Sequence, residues 1–360
     1  MSNHLYHLSL RQRLGLEVFR TMWKNHKKEH PLHQLFWECT HRCNLNCRHC
    51  GSDCKHTALH PDMPAEDFLK VIDSITPHVD THVVNIIITG GEPLMRNDIE
   101  KVGRALYDRE YPWGMVTNGL ALTPQRWESI LRAGIHGITV SLDGPEPEHT
   151  WMRCNEASYK RAYEAIKMIA KVDEVKSDVV TCVNRRSLST LPQLKELLID
   201  AGVKEWRLFT VFPAGRAAQY PEFQLTAEEF TQLMEFIKST RREGRIKASF
   251  CCEGFLGGYE SEVRDYFYSC NAGITVGSVL IDGSIGACPS IRADYHQGNI
   301  YKDDFWDVWT NRFQQYRDRQ WMKTGICSDC KMFRYCEGNG FHLRDSEGKL
   351  MHCHYHNYRN

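Results

Sequence analysis

The sequence predicts an α/β chain: a partial (β/α)6 barrel followed by a cysteine-rich C-terminal domain. Two observations carry this. From residue 35 to about 212, short β-branched runs alternate with amphipathic segments, six times in order; such alternation implies parallel strands joined by helical crossovers. The fifteen cysteines then avoid this body. They cluster at 39–54 and 251–353, with only Cys154 and Cys182 between.

The elements follow in order. Residues 1–34 read as a basic amphipathic helical segment. Leu35–Thr40 reads as a strand, and Ala65–Val79 as a helix opened by Pro64. Val83–Thr89 is nearly all apolar and β-branched, as a strand buried on both faces should be. Asp98–Arg109 is helical, Trp113–Thr117 a strand, and Pro124–Ala133 a helix stopped by Gly134. Gly137–Leu142 is a strand ending in the turn Asp143-Gly144-Pro145, followed by a helix over Asn155–Lys171. Asp178–Asn184, Leu191–Ala201 and Glu205–Val211 complete the pattern as strand, helix and strand. Thr226–Arg241 is a helix with a capping-box pair, Thr226 and Glu229. Ile274–Ile281 and Ser284–Ala287 read as a hairpin turning at Asp282-Gly283. The expected division is 1–34, 35–244 and 245–360. In a sheet of this kind the reactive groups sit at the C-terminal ends of the strands.

Composition excludes several classes. Lys+Arg and Asp+Glu are 45 each, so the formal net charge is zero. That balance argues against a nucleic-acid binder, which usually carries a basic excess. No apolar run approaches the roughly 18–20 residues that span a bilayer, and the first 30 residues lack the apolar core of a signal peptide. A cytoplasmic protein without membrane insertion is expected, and in such a chain cysteines serve metals or catalysis more often than disulfides.

Cys43-Asn44-Leu45-Asn46-Cys47-Arg48-His49-Cys50 directly follows the first strand, with spacing C-x3-C-x2-C. A 4Fe–4S cube normally takes four thiolates. Three in one loop leave an iron open for a cofactor or substrate group. The same loop can also be read as a zinc site, completed by Cys39, Cys54, His41 or His49. The octapeptide resembles the signature of the radical S-adenosylmethionine superfamily. About forty residues on, Gly90-Gly91-Glu92-Pro93 ends the second strand, where that superfamily holds the methionine amino group of the cofactor. Glycine permits close backbone approach there, and Glu92 can accept from an ammonium. The resemblance implies that Cys43, Cys47 and Cys50 carry the catalytic 4Fe–4S cluster. It further implies reductive cleavage of S-adenosylmethionine to a 5′-deoxyadenosyl radical that abstracts a hydrogen atom, with electrons from a low-potential donor of flavodoxin or ferredoxin type. Asn118 and Ser141, at the next strand ends, and Arg153 are the further cofactor-binding candidates. His49 stands where many members carry an aromatic residue.

The C-terminal cysteines read Cys270-x12-Gly283-x4-Cys288, then Cys327-x2-Cys330-x5-Cys336, then Cys353. This resembles the SPASM extension of radical enzymes that modify peptides, which holds two auxiliary 4Fe–4S clusters. By that resemblance Cys327, Cys330, Cys336 and Cys353 bind a distal cluster. Cys270 and Cys288 belong to a proximal one whose further cysteine falls four residues after Cys336, where this chain has Gly340. At least one auxiliary cluster is therefore expected. The proximal one is missing, incomplete or completed by Cys251, Cys252 or His342. Read without the resemblance, the distal four also suit a zinc ribbon. Cys39, Cys54, Cys154 and Cys182 are expected to pack rather than ligate, and the tail histidines His352, His354 and His356 alternate like a solvated strand. The expected substrate is a peptide or small protein, as in maturases of the lipoprotein-associated branch. A tetrapyrrole-modifying enzyme, a sulfatase-maturing enzyme and a non-catalytic zinc-binding interaction protein are the alternatives.

Overall fold

The computed structural model describes residues 7–251 and 253–358. Its strands are β1 (Gln34–Thr40), β2 (Asn85–Gly90), β3 (Trp113–Thr117), β4 (Gly137–Ser141), β5 (Lys176–Val183), β6 (Glu205–Thr210), β7 (Lys247–Phe250), β8 (Val276–Val279), β9 (Ser284–Gly286) and β10 (Gly298–Asn299). They form one sheet in the order β10-β9-β8-β1-β2-β3-β4-β5-β6-β7. Neighbours from β1 to β7 are all parallel. The sheet does not close, as expected of a partial barrel.

Helices alternate with the strands: α1 (Leu10–Glu29), α2 (Ala65–Ile75), α3 (Ile99–Tyr107), α4 (Pro124–Arg132), α5 (Glu146–Arg153), α6 (Ser158–Ile169), α7 (Arg185–Leu188), α8 (Leu191–Asp200) and α9 (Ala227–Glu243). All six expected strands are present, with ends shifted by at most two residues. The capping box of α9 is formed, Thr226 accepting from Glu229 N and Glu229 reaching back. Several elements go beyond the sequence reading, α7 and β10 among them. β7 is a seventh parallel strand, and α5 fills the unassigned stretch between the Asp143–Pro145 turn and the next expected helix. In α5, Pro147 occupies the first helical turn, where no N–H is needed.

The core lies between the sheet and its helices. Trp37 of β1 is fully buried and stacks on Phe68 of α2, with centroids 4.6 Å apart. Trp206 of β6 is buried and donates through Nε1 to Thr181 Oγ1 at 2.8 Å. Each such burial contributes about 1.5–3 kcal/mol.

The sheet runs across the expected boundary at 244/245. β7 extends one edge, and β8 pairs in parallel with β1 on the other side, Gln34 opposite Val276 and Trp37 opposite Val279. The β8–β9 hairpin turns at Asp282-Gly283 as expected, with Gly283 at φ +83°. Helix α1 packs against the C-terminal segment: Gln12 Nε2 donates to Gly258 O at 2.7 Å, and Tyr335 Oη to Glu17 at 2.7 Å. Its opposite face leaves Leu10, Leu14, Val18 and Met22 exposed.

Candidate functional site

The site begins at a β-bulge. The β1–β2 register slips between Glu38 and Thr40, and the chain turns there into the three-cysteine loop. Other elements clamp that loop. Arg48 N donates to Met152 O at 2.9 Å. Arg216 N donates to Cys50 O at 3.0 Å and its Nε to Cys47 O at 2.8 Å. Gly215 beside it has φ +57°, and a Cβ there would lie 2.5 Å from both Cys50 O and Gly51 O. Glycine is required to let this segment lie on the loop.

Cys43 and Cys47 are buried and Cys50 half-buried. Burial pushes the Cys43 thiol up to about 12 and raises Cys47. A hydrogen bond from Cys54 lowers Cys50. Loading a metal centre therefore displaces protons from this pocket. Among the described residues, one set of three His, Cys, Asp or Glu donors has all ligand atoms within 4.8 Å of one another: His49, Asp143 and Cys182. Three thiols on one clamped loop are the donor set that leaves one iron of a four-iron cube open.

The Gly90–Pro93 element packs directly under the loop. Added Cβ atoms would lie 2.2 Å from Thr40 O at Gly90 and 2.4 Å from Arg42 O at Gly91. Glu92 is fully buried. Its Oε1 accepts from Leu94 N at 3.1 Å and Thr117 Oγ1 at 2.8 Å, and its Oε2 from Asn118 N at 2.7 Å. The carboxylate expected to meet an ammonium thus already ties the end of β2 to the end of β3. Pro93 opens a 3-10 turn behind it.

Asn118 and Arg153 reach the loop itself. Asn118 Nδ2 donates to Asn44 Oδ1 at 2.8 Å and lies 3.9 Å from Cys43 Sγ. Arg153 Nη1 lies 3.7 Å from Cys47 Sγ, while its Nε donates to Asp143 Oδ2 at 2.6 Å. Ser141 ends β4 and is buried nearby. Sequence reasoning missed Asp143, His149 and the role of Cys182. Asp143 Oδ1 accepts from Cys182 N at 3.0 Å, and Asp143 N donates to His149 Nδ1 at 3.0 Å. Burial would raise the Asp143 carboxyl, but Arg153 and His49 hold it well below the usual range. Burial brings His49 down to about 4. With the Arg153 guanidinium bonded to Asp143, the His49–Asp143–Cys182 trio already has its cation. The signal was the Asp143-Gly144-Pro145 turn, legible only as a turn.

In the C-terminal segment Cys327, Cys330, Cys336 and Cys353 line one small enclosed pocket with Phe255, Phe333 and Leu350. Burial pushes Cys353 up to about 11 and raises Cys327 and Cys336. Arg344 Nη2 lies 3.8 Å from Cys327 Sγ, and His356 Nε2 3.3 Å from Cys330 Sγ. The tail histidines are not a solvated strand. His354–Asn357 is one helical turn, and His354 is buried with Nε2 3.3 Å from Glu253 Oε2. Cys353, drawn into its pocket, carries its neighbours inside.

Cys270 and Cys288 lie within electrostatic reach of one another; burial pushes Cys288 up to about 11, and Cys270 adds to this. The place of the further cysteine is filled. A Cβ on Gly340 would lie 2.6 Å from His342 Cε1, 2.8 Å from its Nδ1 and 3.3 Å from Tyr268 Oη. Of the three candidate substitutes, His342 is the one at this position. Cys251 lies instead beside Arg207, 3.9 Å from Nη1, and Cys252 lies outside the described residues.

One further pocket opens at the C-terminal ends of β6 and β7. It is lined by Thr210, Phe212, Gln224, Glu253, His342 and His352, among others. Burial pushes Glu253 up to about 8, so its carboxyl is largely neutral at pH 7. Burial also lowers His342 to about 4 and His352 to about 3. This is a polar but uncharged cavity, between the barrel mouth and the cysteine-rich segment.

Comparison with known proteins agrees with this geometry. Residues 37–198 match the Radical SAM superfamily, and residues 270–331 match the SPASM iron–sulfur cluster-binding domain. The second match ends before Cys336 and Gly340. The chain is similar to the AdoMet-dependent heme synthase of Methanosarcina barkeri (strain Fusaro), 25% identical over 322 residues, covering 84% of this chain and 90% of that protein. It is also similar to the mycofactocin maturase MftC of Mycolicibacterium smegmatis, 26% identical over 311 residues, covering 84% of this chain and 76% of that protein. The crystal structure of Streptococcus suis SuiB bound to its precursor peptide SuiA shares the fold: TM-score 0.69 and 18% identity, covering 88% of this chain and 75% of that one. No helix among the described residues is long and apolar enough to cross a membrane.

Proposed function

Because this chain belongs to the radical SAM superfamily and carries a SPASM iron–sulfur domain, we propose that it is an enzyme that cleaves S-adenosylmethionine by one-electron reduction and abstracts a hydrogen atom from a peptide or small protein. The observation that carries the chemistry is the loop of Cys43, Cys47 and Cys50, clamped by Met152 and Arg216 and packed on Gly90–Pro93. When bound, the cluster and S-adenosylmethionine supply a carbon radical. The chain's own residues do the rest. The three cysteines hold the metal centre, leaving one iron for the cofactor. Gly90 and Gly91 let the backbone approach, and Glu92 fixes the Asn118 turn that faces the loop. Asn118, Ser141 and Arg153 border the cofactor. Cys327, Cys330, Cys336 and Cys353 hold an auxiliary cluster, and a low-potential flavodoxin or ferredoxin delivers electrons.

The peptide reading is supported by the similarity to MftC and the fold shared with SuiB. A tetrapyrrole substrate is the second reading, favoured by the similarity to heme synthases over 84% of the chain. The test uses anaerobically reconstituted protein with dithionite and S-adenosylmethionine. It follows deuterium transfer into 5′-deoxyadenosine from deuterated candidate peptides, against an iron porphyrin bearing deuterated propionate side chains. Transfer from a peptide is expected; transfer from the porphyrin alone would move the substrate to the second reading.

A further inference from the structure

Each cysteine of the loop has its own side-chain donor. Asn118 Nδ2, from the end of β3, lies 3.9 Å from Cys43 Sγ. Arg153 Nη1, from the last residue of α5, lies 3.7 Å from Cys47 Sγ. Cys54 packs in one buried cluster with Cys43, Cys47 and Leu45, with Cys50 against it and its own Sγ 3.9 Å from Ser52 O; a hydrogen bond from it lowers Cys50. A purely structural role would not select the sulfurs. Asn118 already satisfies the loop through Asn44 Oδ1, and Arg153 already has Asp143. Both have N–H groups left over, and these are directed at sulfur. The C-terminal pocket repeats the arrangement, with Arg344 3.8 Å from Cys327 Sγ and His356 3.3 Å from Cys330 Sγ.

We propose that Asn118, Arg153 and Cys54 are positioning residues that set the reduction potential of the cluster held by Cys43, Cys47 and Cys50, one donor for each thiolate. This rests on the assignment of that cluster to those cysteines. Reduction places added negative charge on the cluster and its thiolates. A donor bonded to the thiolate stabilises the reduced form more than the oxidised one and moves the potential up. Cys54 is the informative member. It was expected only to pack, it is not one of the three spaced cysteines, and its S–H can be replaced without touching an ion pair.

The test is a potentiometric titration of the anaerobically reconstituted full chain, followed by the electron paramagnetic resonance signal of the reduced cluster. Iron and sulfide are measured first for every variant. Cys54→Ala and Asn118→Ala are expected to keep the iron content of the parent and to shift the midpoint of the loop cluster to more negative potential. Their double variant shifts further, Cys54→Ser, which keeps an O–H donor, returns toward the parent, and the C-terminal cluster's midpoint does not move. An unchanged or more positive midpoint in Cys54→Ala with full iron content overturns the proposal. Loss of about four irons in Cys54→Ala overturns it too, because Cys54 is then a ligand. Parent protein that holds the cluster but forms no 5′-deoxyadenosine counts against the functional reading alone.

Discussion

At the scale of single residues, the site depends on buried polar groups, Glu92 foremost. Glu92 accepts from Leu94 N, Thr117 Oγ1 and Asn118 N, with no exposure to water. Glu92→Ala strands three buried donors, each at about 1–3 kcal/mol. We expect a loss on the order of 3 kcal/mol or more in urea unfolding, and reduced iron retention although every cysteine remains. Arg153→Met leaves Asp143 buried without its cation and should cost about 3–5 kcal/mol. Unchanged stability in that variant would show that the Asp143 ion pair is dispensable. The cysteines, Gly90–Pro93 and Asn118 were marked in the sequence by spacing and strand ends, and Arg153, at the end of α5, by the resemblance alone. Asp143, His149, Cys182 and the Cys50–Cys54 contact were not marked. Their contacts join residues from separate elements, and an aspartate before Gly-Pro carries the local signature of a turn whatever else it does.

At the scale of elements, the loop is shaped from outside by the segment after β6. Gly215→Ala places a methyl group 2.5 Å from two carbonyl oxygens of the loop, at a φ that alanine resists. This variant should hold less iron per chain after reconstitution than the parent, with secondary structure intact by circular dichroism. Gly340→Cys restores the cysteine expected from the family pattern, yet its side chain meets the His342 ring. Overpacking of this kind costs about 1–3 kcal/mol. The variant should melt earlier and gain no iron; four additional irons would show that the His342 ring gives way. The six βα units were readable from periodicity alone. β7 was not, because it is four residues at a sheet edge with Lys247 exposed and Ser249 half-buried, which breaks the apolar run that marked β2. α5 was hidden by its two prolines, both at its N-terminal end where helices tolerate them.

At the scale of the whole molecule, the cysteine-rich segment is not a separate body beside the barrel. It continues the sheet on both sides, through β7 and through β8 beside β1. The hairpin itself was visible as two apolar runs around Asp-Gly, but its partner strand, more than 230 residues earlier, leaves no local trace. A buried ion pair reinforces the junction: Glu38 of β1 meets His41 and Arg292, each at 3.0 Å. Burial alone would raise Glu38, but the bonds from His41 and Arg292 hold it down to about 2, against an ordinary value of 4.5. A depressed carboxyl contributes its stabilisation above the unfolded value and loses it as pH falls through the folded one. Roughly 3 kcal/mol should therefore disappear between pH 4.5 and pH 2. Unfolding midpoints measured from pH 6 to pH 3 should fall less steeply in Glu38→Gln than in the parent. This architecture brings a three-cysteine loop and a four-cysteine pocket into one rigid frame, and the central claim is that both hold iron–sulfur clusters and that the first drives radical chemistry. The measurement that tests it most directly is iron and sulfide per chain after anaerobic reconstitution, together with dithionite-driven formation of 5′-deoxyadenosine from S-adenosylmethionine. The account predicts about eight irons and deoxyadenosine that disappears in the Cys43→Ala, Cys47→Ala, Cys50→Ala triple variant. Zinc in place of iron, with no deoxyadenosine from the parent, would contradict it.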